Sequence, residues 1–169
     1  MNRFTITLGV LTVATGALLS VQASAATVVK YNSKAASGAC QGALPNYEGN
    51  FRKRPLAVVN EGSTAAFLTC GIDDAATDGT IGTNEVTLYV VNRTGAAADI
   101  SCTMVDGYVD ATTGFANYYP QTITASSTTY SFLDWTGSYS PYSQAVSCNV
   151  PAAFEVNVIY GSYNDEIGA

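Results

Sequence analysis

The chain has 169 residues, 12% of them charged and none of them histidine, with 7 bases against 13 acids and a net charge of −6. The lack of histidine excludes Ser-His-Asp and Cys-His nucleophilic catalysis. It also removes the usual zinc, haem and copper ligand sets once the cysteines are read as disulfides, and so few bases exclude nucleic acid as a partner.

Met1-Asn2-Arg3, an apolar run from Leu8 to Val21 and then Ala23-Ser24-Ala25 have the charge, length and small-residue ending of a secretory signal peptide, residues 1–25. Thr5, Thr7, Thr12 and Thr15 dilute the run below what a spanning helix carries. No cysteine follows the cleavage site, which argues against a lipid anchor. The expectation is a protein secreted to the periplasm or beyond, with no membrane span after cleavage. Removing the signal takes away Arg3 and no acid, leaving 6 bases against 13 acids, a net of −7. Residues 26–169 suffice for one domain with a single core.

Thr27 to Asn32 reads as a strand, followed by a small-residue linker from Ser33 to Ala39. After Cys40, the segment from Gln41 to Arg54 holds Pro45 and several Gly and Asn residues and is expected to be mostly loop. Arg52-Lys53-Arg54 at its end holds half of the bases left after cleavage; it fits a solvated loop neutralising nearby carboxylates, or a patch docking on an anionic surface. Leu56 to Val59 and Ala65 to Cys70 are strands, and Asn60-Glu61-Gly62-Ser63 between them is a hairpin signal.

The next loop carries Asp73, Asp74 and Asp78, an oxygen-rich set that invites calcium. It lacks the alternating carboxylates and closing Glu of a 12-residue calcium loop, so no metal site is assigned.

Asn84 to Gly107 is the organising stretch. Val86, Leu88 and Val90 share one face, the period of a half-buried strand. Asn92-Arg93-Thr94-Gly95 breaks the pattern with turn formers, and Ile100, Cys102 and Met104 then share a face, making the two strands a central hairpin with its thiol on the apolar side.

Tyr108 to Pro120 reads as a tyrosine-rich excursion, then Gln121 to Ala125 and Thr129 to Trp135 as strands. In the second of these Tyr130 and Phe132 lie on one side and Leu133 and Trp135 on the other, so whichever side is core, the opposite one exposes apolar area. A second aromatic loop holds Tyr139 and Tyr142. Val146, Cys148 and Val150 again put a thiol on the apolar face. In the last strand Phe154, Val156, Val158 and Tyr160 face one way, Glu155 and Asn157 the other.

Four cysteines in an exported chain imply two disulfides, with three pairings open. Neighbours in sequence are most often neighbours in space, which favours Cys40–Cys70 and Cys102–Cys148. Eight or nine short strands without an amphipathic helix indicate an all-β, antiparallel two-sheet sandwich of immunoglobulin-like or jelly-roll-like type. The alternative, an outer-membrane barrel, also alternates, but core-facing cysteines and short strands argue against it.

A carboxylate-pair hydrolase needs no histidine, yet the spacing of Glu48, Glu61, Glu85, Glu155 and Glu166 selects no pair, so no catalytic residue is assigned and no cofactor is expected. Binding is better supported. The chain has 11 tyrosines and one tryptophan, and the run from Tyr108 to Tyr142 gathers Tyr118, Tyr119, Tyr130, Trp135 and Tyr139 with Phe115 and Phe132; rings with a polar edge suit stacking on sugars or contacting proteins. The candidate ligand residues are therefore Tyr118, Tyr119, Trp135, Tyr139 and Tyr142, for a carbohydrate or a cell-surface protein.

Leu44-Pro45, the Asn60-Glu61-Gly62 turn, Thr69-Cys70, Ser101-Cys102-Thr103 and Ser147-Cys148 closed by Pro151 resemble a group of small uncharacterised secreted β-sandwich proteins of Gram-negative bacteria, a likeness that implies no activity. A cysteine after the first strand and the alternating Phe154 to Tyr160 are similar, less strongly, to fimbrial subunits, which polymerise by strand donation. That likeness implies an assembly subunit of a cell-surface appendage.

Overall fold

The computed structural model describes residues 26–72, 83–109, 113–139 and 143–167. The signal segment, the loop residues Asp73, Asp74 and Asp78, and Tyr142 lie outside these. The described residues form eleven strands, two or three more than expected: β1 (Ala26–Ala35), β2 (Cys40–Gly42), β3 (Phe51–Arg54), β4 (Ala57–Asn60), β5 (Ala66–Ile72), β6 (Thr83–Asn92), β7 (Ala98–Val109), β8 (Gly114–Ala125), β9 (Tyr130–Thr136), β10 (Ser143–Val150) and β11 (Phe154–Ile167). Two single helical turns, Ala36–Ala39 and Pro45–Glu48, interrupt the first third. No helix among the described residues is long and apolar enough to cross a membrane.

The strands make two antiparallel sheets. Sheet A has the order β3-β4-β11-β6-β9, with β1 added to β11; sheet B has the order β2-β5-β10-β7-β8. In the successive pairs β4/β5, β6/β7, β8/β9 and β10/β11, one strand lies in each sheet, and that winding resolves the topology as a jelly roll.

Two expected hairpins are therefore arches. Asn60-Glu61-Gly62-Ser63 carries the chain from sheet A to sheet B, and so does Asn92-Arg93-Thr94-Gly95. The same device builds both. Asn60 Nδ2 donates to the carbonyls of Thr64 (2.9 Å) and Val150 (2.8 Å), while its Oδ1 accepts from the Gly62 amide (2.9 Å). Asn92 Nδ2 donates to the carbonyls of Ala96 (2.7 Å) and Ala125 (2.9 Å), and its Oδ1 accepts from the Thr94 amide (2.8 Å). Both asparagines are buried. Each satisfies backbone groups that a corner leaves without ladder partners, which a buried corner requires.

The core lies between the sheets. Sheet A supplies Val58, Val86, Leu88, Val90, Leu133, Trp135, Phe154, Val156 and Ile159; sheet B supplies Leu68, Ile100, Met104, Val146 and Val150. Both disulfides pair as expected, Cys40–Cys70 and Cys102–Cys148. Each joins residues directly opposite on neighbouring strands of sheet B, and all four cysteines are buried. Two such bridges belong to a chain that folds in an oxidising compartment.

Three other expectations are corrected. Phe51–Arg54 is strand, because Phe51 packs against the core and the three bases sit on a sheet edge, where charge is tolerated. There Arg52 and Arg54 both reach Glu61 (3.6 and 2.5 Å). Tyr108 to Pro120 is mostly ladder between β7 and β8: Pro120 is accommodated on an edge strand. Gly107, at φ +141°, lets the strands close where a Cβ would stand 2.0 Å from the Phe115 carbonyl oxygen. Lastly, β11 does not alternate throughout. Val156 pairs with Val90 but Val158 pairs with Tyr89, so Asn157 is an extra, bulged residue. The bulge reverses the faces, sending Ile159 into the core and turning Val158 and Tyr160 outward.

Candidate functional site

The reversal at Asn157 has a consequence on the outer face of sheet A. In register across β1, β11, β6 and β9 run Ala35, Val158, Tyr89 and Phe132; beside them run Ser33, Tyr160, Thr87 and Asp134. Four strands place this row over roughly 14 Å at the usual interstrand spacing. The face stays open: Tyr31 is 65% exposed, Leu56 72%, Tyr130 69% and Phe132 58%.

The rings are ordered against one another. Tyr31 stacks on Tyr160 with centroids 5.6 Å apart, and Tyr89 tilts against Phe132 at 6.2 Å. Tyr89, Tyr130, Val158, Tyr160, Leu56 and Asn157 line a groove of about 570 Å³ with Ser33, Lys34 and Ala35 of β1.

The polar groups of this face are held in place. Arg93 donates through Nε (3.1 Å) and Nη2 (2.9 Å) to Glu155 Oε2. Glu155 Oε1 in turn accepts from Asn157 Nδ2 (2.5 Å). Because the amide nitrogen is committed to a carboxylate, the orientation of the Asn157 side chain is fixed. Asn157 is 8% exposed, and its Oδ1 has no hydrogen-bond partner among the described residues. One row over, the Thr87 hydroxyl lies 3.3 Å from Glu85 Oε1 and 3.2 Å from Asp134 Oδ1, so one proton serves two carboxylates. The Tyr160 phenol is pushed above its ordinary 10.0, by burial first and then by the negative charge of Glu85, with Tyr31, Tyr89 and Asp134 adding to it.

The described residues among those singled out in the sequence go elsewhere. Tyr119, Trp135 and Tyr139 do come together, at the side of the sandwich where edge strands β8 and β9 meet. Trp135 Nε1 donates to the Tyr119 carbonyl (2.8 Å), and the Tyr119 and Tyr139 rings meet edge to face at 5.0 Å. The Gln121 side chain donates through Nε2 to the Asp134 carbonyl (3.3 Å) and accepts from the Asp134 amide through Oε1 (3.0 Å). These contacts stitch the two sheets together, and Trp135 and Tyr139 are buried in doing so. Burial raises the phenols of both tyrosines above 10.0; for Tyr119 the Asp106 carboxylate adds charge and a hydrogen bond, and for Tyr139 the charges of Tyr119, Asp134 and Asp106 add to it. Tyr118 points the other way, exposed on the outside of sheet B. The four described residues thus do not form one surface.

Tyr31, Tyr89, Tyr130, Phe132, Tyr160 and Asn157 were not candidates from the sequence. The two-sided pattern of β9 did announce Tyr130 and Phe132: with Leu133 and Trp135 in the core, they are the outward rings. Nothing in the sequence marks Asn157 as a bulge.

No family model matches the chain, and no curated protein matches it. Among solved structures it is similar to the N-terminal modules of the Clostridium thermocellum endo-1,4-β-D-xylanase 10B, at 11% identity and a TM-score of 0.44; the match covers 82% of this chain and 26%, about a quarter, of that one. It is also similar to the family 11 carbohydrate-binding module from Clostridium thermocellum (13% identity, 82% and 86% covered, TM-score 0.41). A third is the CBM22-1 xylan-binding domain of Paenibacillus barcinonensis Xyn10C (14% identity, 86% of both chains covered, TM-score 0.40). Likeness at this level says nothing of what this chain binds.

Proposed function

We propose that this protein is a non-catalytic binding module that takes a carbohydrate chain on the outer face of sheet A. One observation carries the reading: a row of ordered, exposed aromatic rings on an otherwise ordinary jelly roll, bordering a groove of about 570 Å³ with a fixed, buried amide in its wall. Exposed apolar area of this kind on a folded domain is a mark of an interaction site. A groove lined by rings with a few fixed polar groups is the usual form of a small-molecule site. Tyrosine and phenylalanine rings present flat apolar faces at small entropic cost, which matches the C–H face of a pyranose, while its hydroxyls remain free for the polar groups at the edge.

The test is retention of the protein in gels carrying neutral polysaccharides (β-glucan, xylan, galactan and mannan in turn). At least one polymer should retard the wild type. Tyr89→Ala should weaken that retardation by about five- to thirtyfold, the equivalent of about 1 to 2 kcal/mol of lost ring contact. Migration unaffected by every polymer would refute the reading.

A further inference from the structure

We infer that the outer face of sheet A takes an acidic polysaccharide, a chain whose sugar rings lie on the aromatic row and whose carboxylates are held at the β3 edge by Arg52 and Arg54. The inference rests on the carbohydrate reading above and deepens it by naming the charge of the ligand.

Charge is divided unevenly between the two sheets. Residues 26–169 hold six bases, Lys30, Lys34, Arg52, Lys53, Arg54 and Arg93. Strands β1 and β3 carry all but Arg93, which follows β6 in the arch, and the strands of sheet B carry none. An acidic chain thus collects its positive charge beside one face.

Two of these side chains stand on the face that bears the rings. Phe51 packs against the core, so strand alternation turns Arg52 and Arg54 to the outside. Arg52, Val59, Glu155, Val91 and Tyr130 make one register row from β3 to β9, with a guanidinium at one end and an exposed ring at the other. Four interstrand steps set these ends roughly 19 Å apart, a span for several sugar units. Leu56, in the turn after Arg54, lines the groove, and so does Lys34. Cations and groove are therefore one continuous surface.

The two guanidiniums have capacity left for an anion. Arg54 Nη2 meets Glu61 Oε1 at 2.5 Å, while Arg52 Nη1 stays 3.6 Å from Oε2, outside hydrogen-bond reach. One carboxylate thus faces two permanent positive charges, and the arginine side chains are 66% and 55% exposed. Each guanidinium is a planar fork of five N–H donors that fits a further carboxylate bidentately. Arg93 differs: its Nε and Nη2 both bond Glu155, whose side chain is only 14% exposed. The acids that repel such a ligand, Glu85 and Asp134, lie on β6 and β9, three and four strands away from β3 and so at least roughly 14 Å distant. Exposed charges are screened over about 8 Å at physiological salt. The β3 edge therefore keeps its attraction, and the acidic corner sets which end of the bound chain bears the charge.

The experiment compares each neutral polymer that retards the wild type with its own lightly carboxymethylated derivative, at low and at high salt. The wild type should bind the carboxylated form about five- to tenfold more tightly, the size expected of two exposed ion pairs, and the gap should close at high salt. Arg52→Gln with Arg54→Gln should erase the gap through a loss on the carboxylated polymer, and Tyr89→Ala should weaken both forms alike. Glu61→Gln removes the competing carboxylate and should widen the gap by about twofold, a gain that a damaged fold would not produce. Circular dichroism and melting of each variant check that the sandwich is intact. Equal or weaker binding of the carboxylated form by the wild type, or a gap that survives loss of both arginines, would overturn the inference while leaving the carbohydrate site standing. Sedimentation with phosphatidylglycerol vesicles that depends on the two arginines, without a preference for the carboxylated polymer, would assign the patch to a membrane surface and also overturn it. Failure of every neutral polymer to bind would overturn the carbohydrate reading, and this inference with it.

Discussion

Two aromatic clusters of similar composition have opposite fates in this molecule. At the seam between β8 and β9, Tyr119, Trp135 and Tyr139 are locked by a hydrogen bond from the indole and by edge-to-face packing, and they close the gap between the sheets. On the outer face of sheet A, Tyr31 with Tyr160 and Tyr89 with Phe132 are ordered against one another, and these rings and Tyr130 are open to solvent or only half-buried. The difference lies in which face of a strand carries the ring. Trp135 and Phe132 are three residues apart on β9; one faces the core and the other faces water. Aromatic content alone does not mark a binding site, and the side of the sheet decides.

The comparison can be broken most forcefully by truncating one ring from each cluster. Trp135→Ala empties a buried, bonded site and should cost about 4 kcal/mol, the range seen for large aromatic core residues. Phe132→Ala, on the exposed side of the same strand, should change stability by no more than about 0.5 kcal/mol. Denaturant melts of the two variants provide the readout; comparable losses would mean that the outer face is part of the structural frame.

A smaller effect sharpens the same contrast through pH. Tyr119 and Tyr139 hold their protons above the ordinary 10.0 in the folded state. A raised folded value means that the associated stability is fully present below pH 10.0 and is lost as the pH rises through the folded values. Unfolding free energy should therefore be flat up to about pH 10 and fall beyond it. In the Tyr119→Phe/Tyr139→Phe variant the fall should be shallower. An alkaline decline identical in both proteins would show that the seam does not carry it.

Much of the frame was legible in the sequence. Period-two patterns in β6, β7 and β10 placed the core face correctly, and the positions of Cys102 and Cys148 on apolar faces placed their disulfide inside, while the two-sided β9 left its core face open. What stayed hidden depends on three-dimensional context. The turns after Asn60 and Asn92 have hairpin chemistry, yet their asparagines bond to carbonyls of distant strands, Val150 and Ala125, and the chain changes sheets there. Local sequence specifies a bend without specifying which strands pair beyond it. Gly114 and Asn117 argued against a helix and the segment from Tyr108 to Pro120 read as an excursion, but it is ladder, and an edge position satisfies a proline with no amide proton. The candidate face was hidden for the sharpest reason. Its outward rings on β11 and β6 meet in one row only because one extra residue at Asn157 reverses the alternation, and strict period two assigned Val158 and Tyr160 to the core side.

The most direct test of the central claim sets the two faces of the molecule against each other by calorimetric titration with a glycan that the wild type retains. Tyr89→Ala with Phe132→Ala, on the outside of sheet A, should lower affinity by at least thirtyfold, about 2 kcal/mol. Tyr118→Ala, at a ring more exposed than either and on the outside of sheet B, should leave it within twofold of the wild type. An unchanged affinity in the first variant and a large loss in the second would contradict the account and return the site to the β8 side.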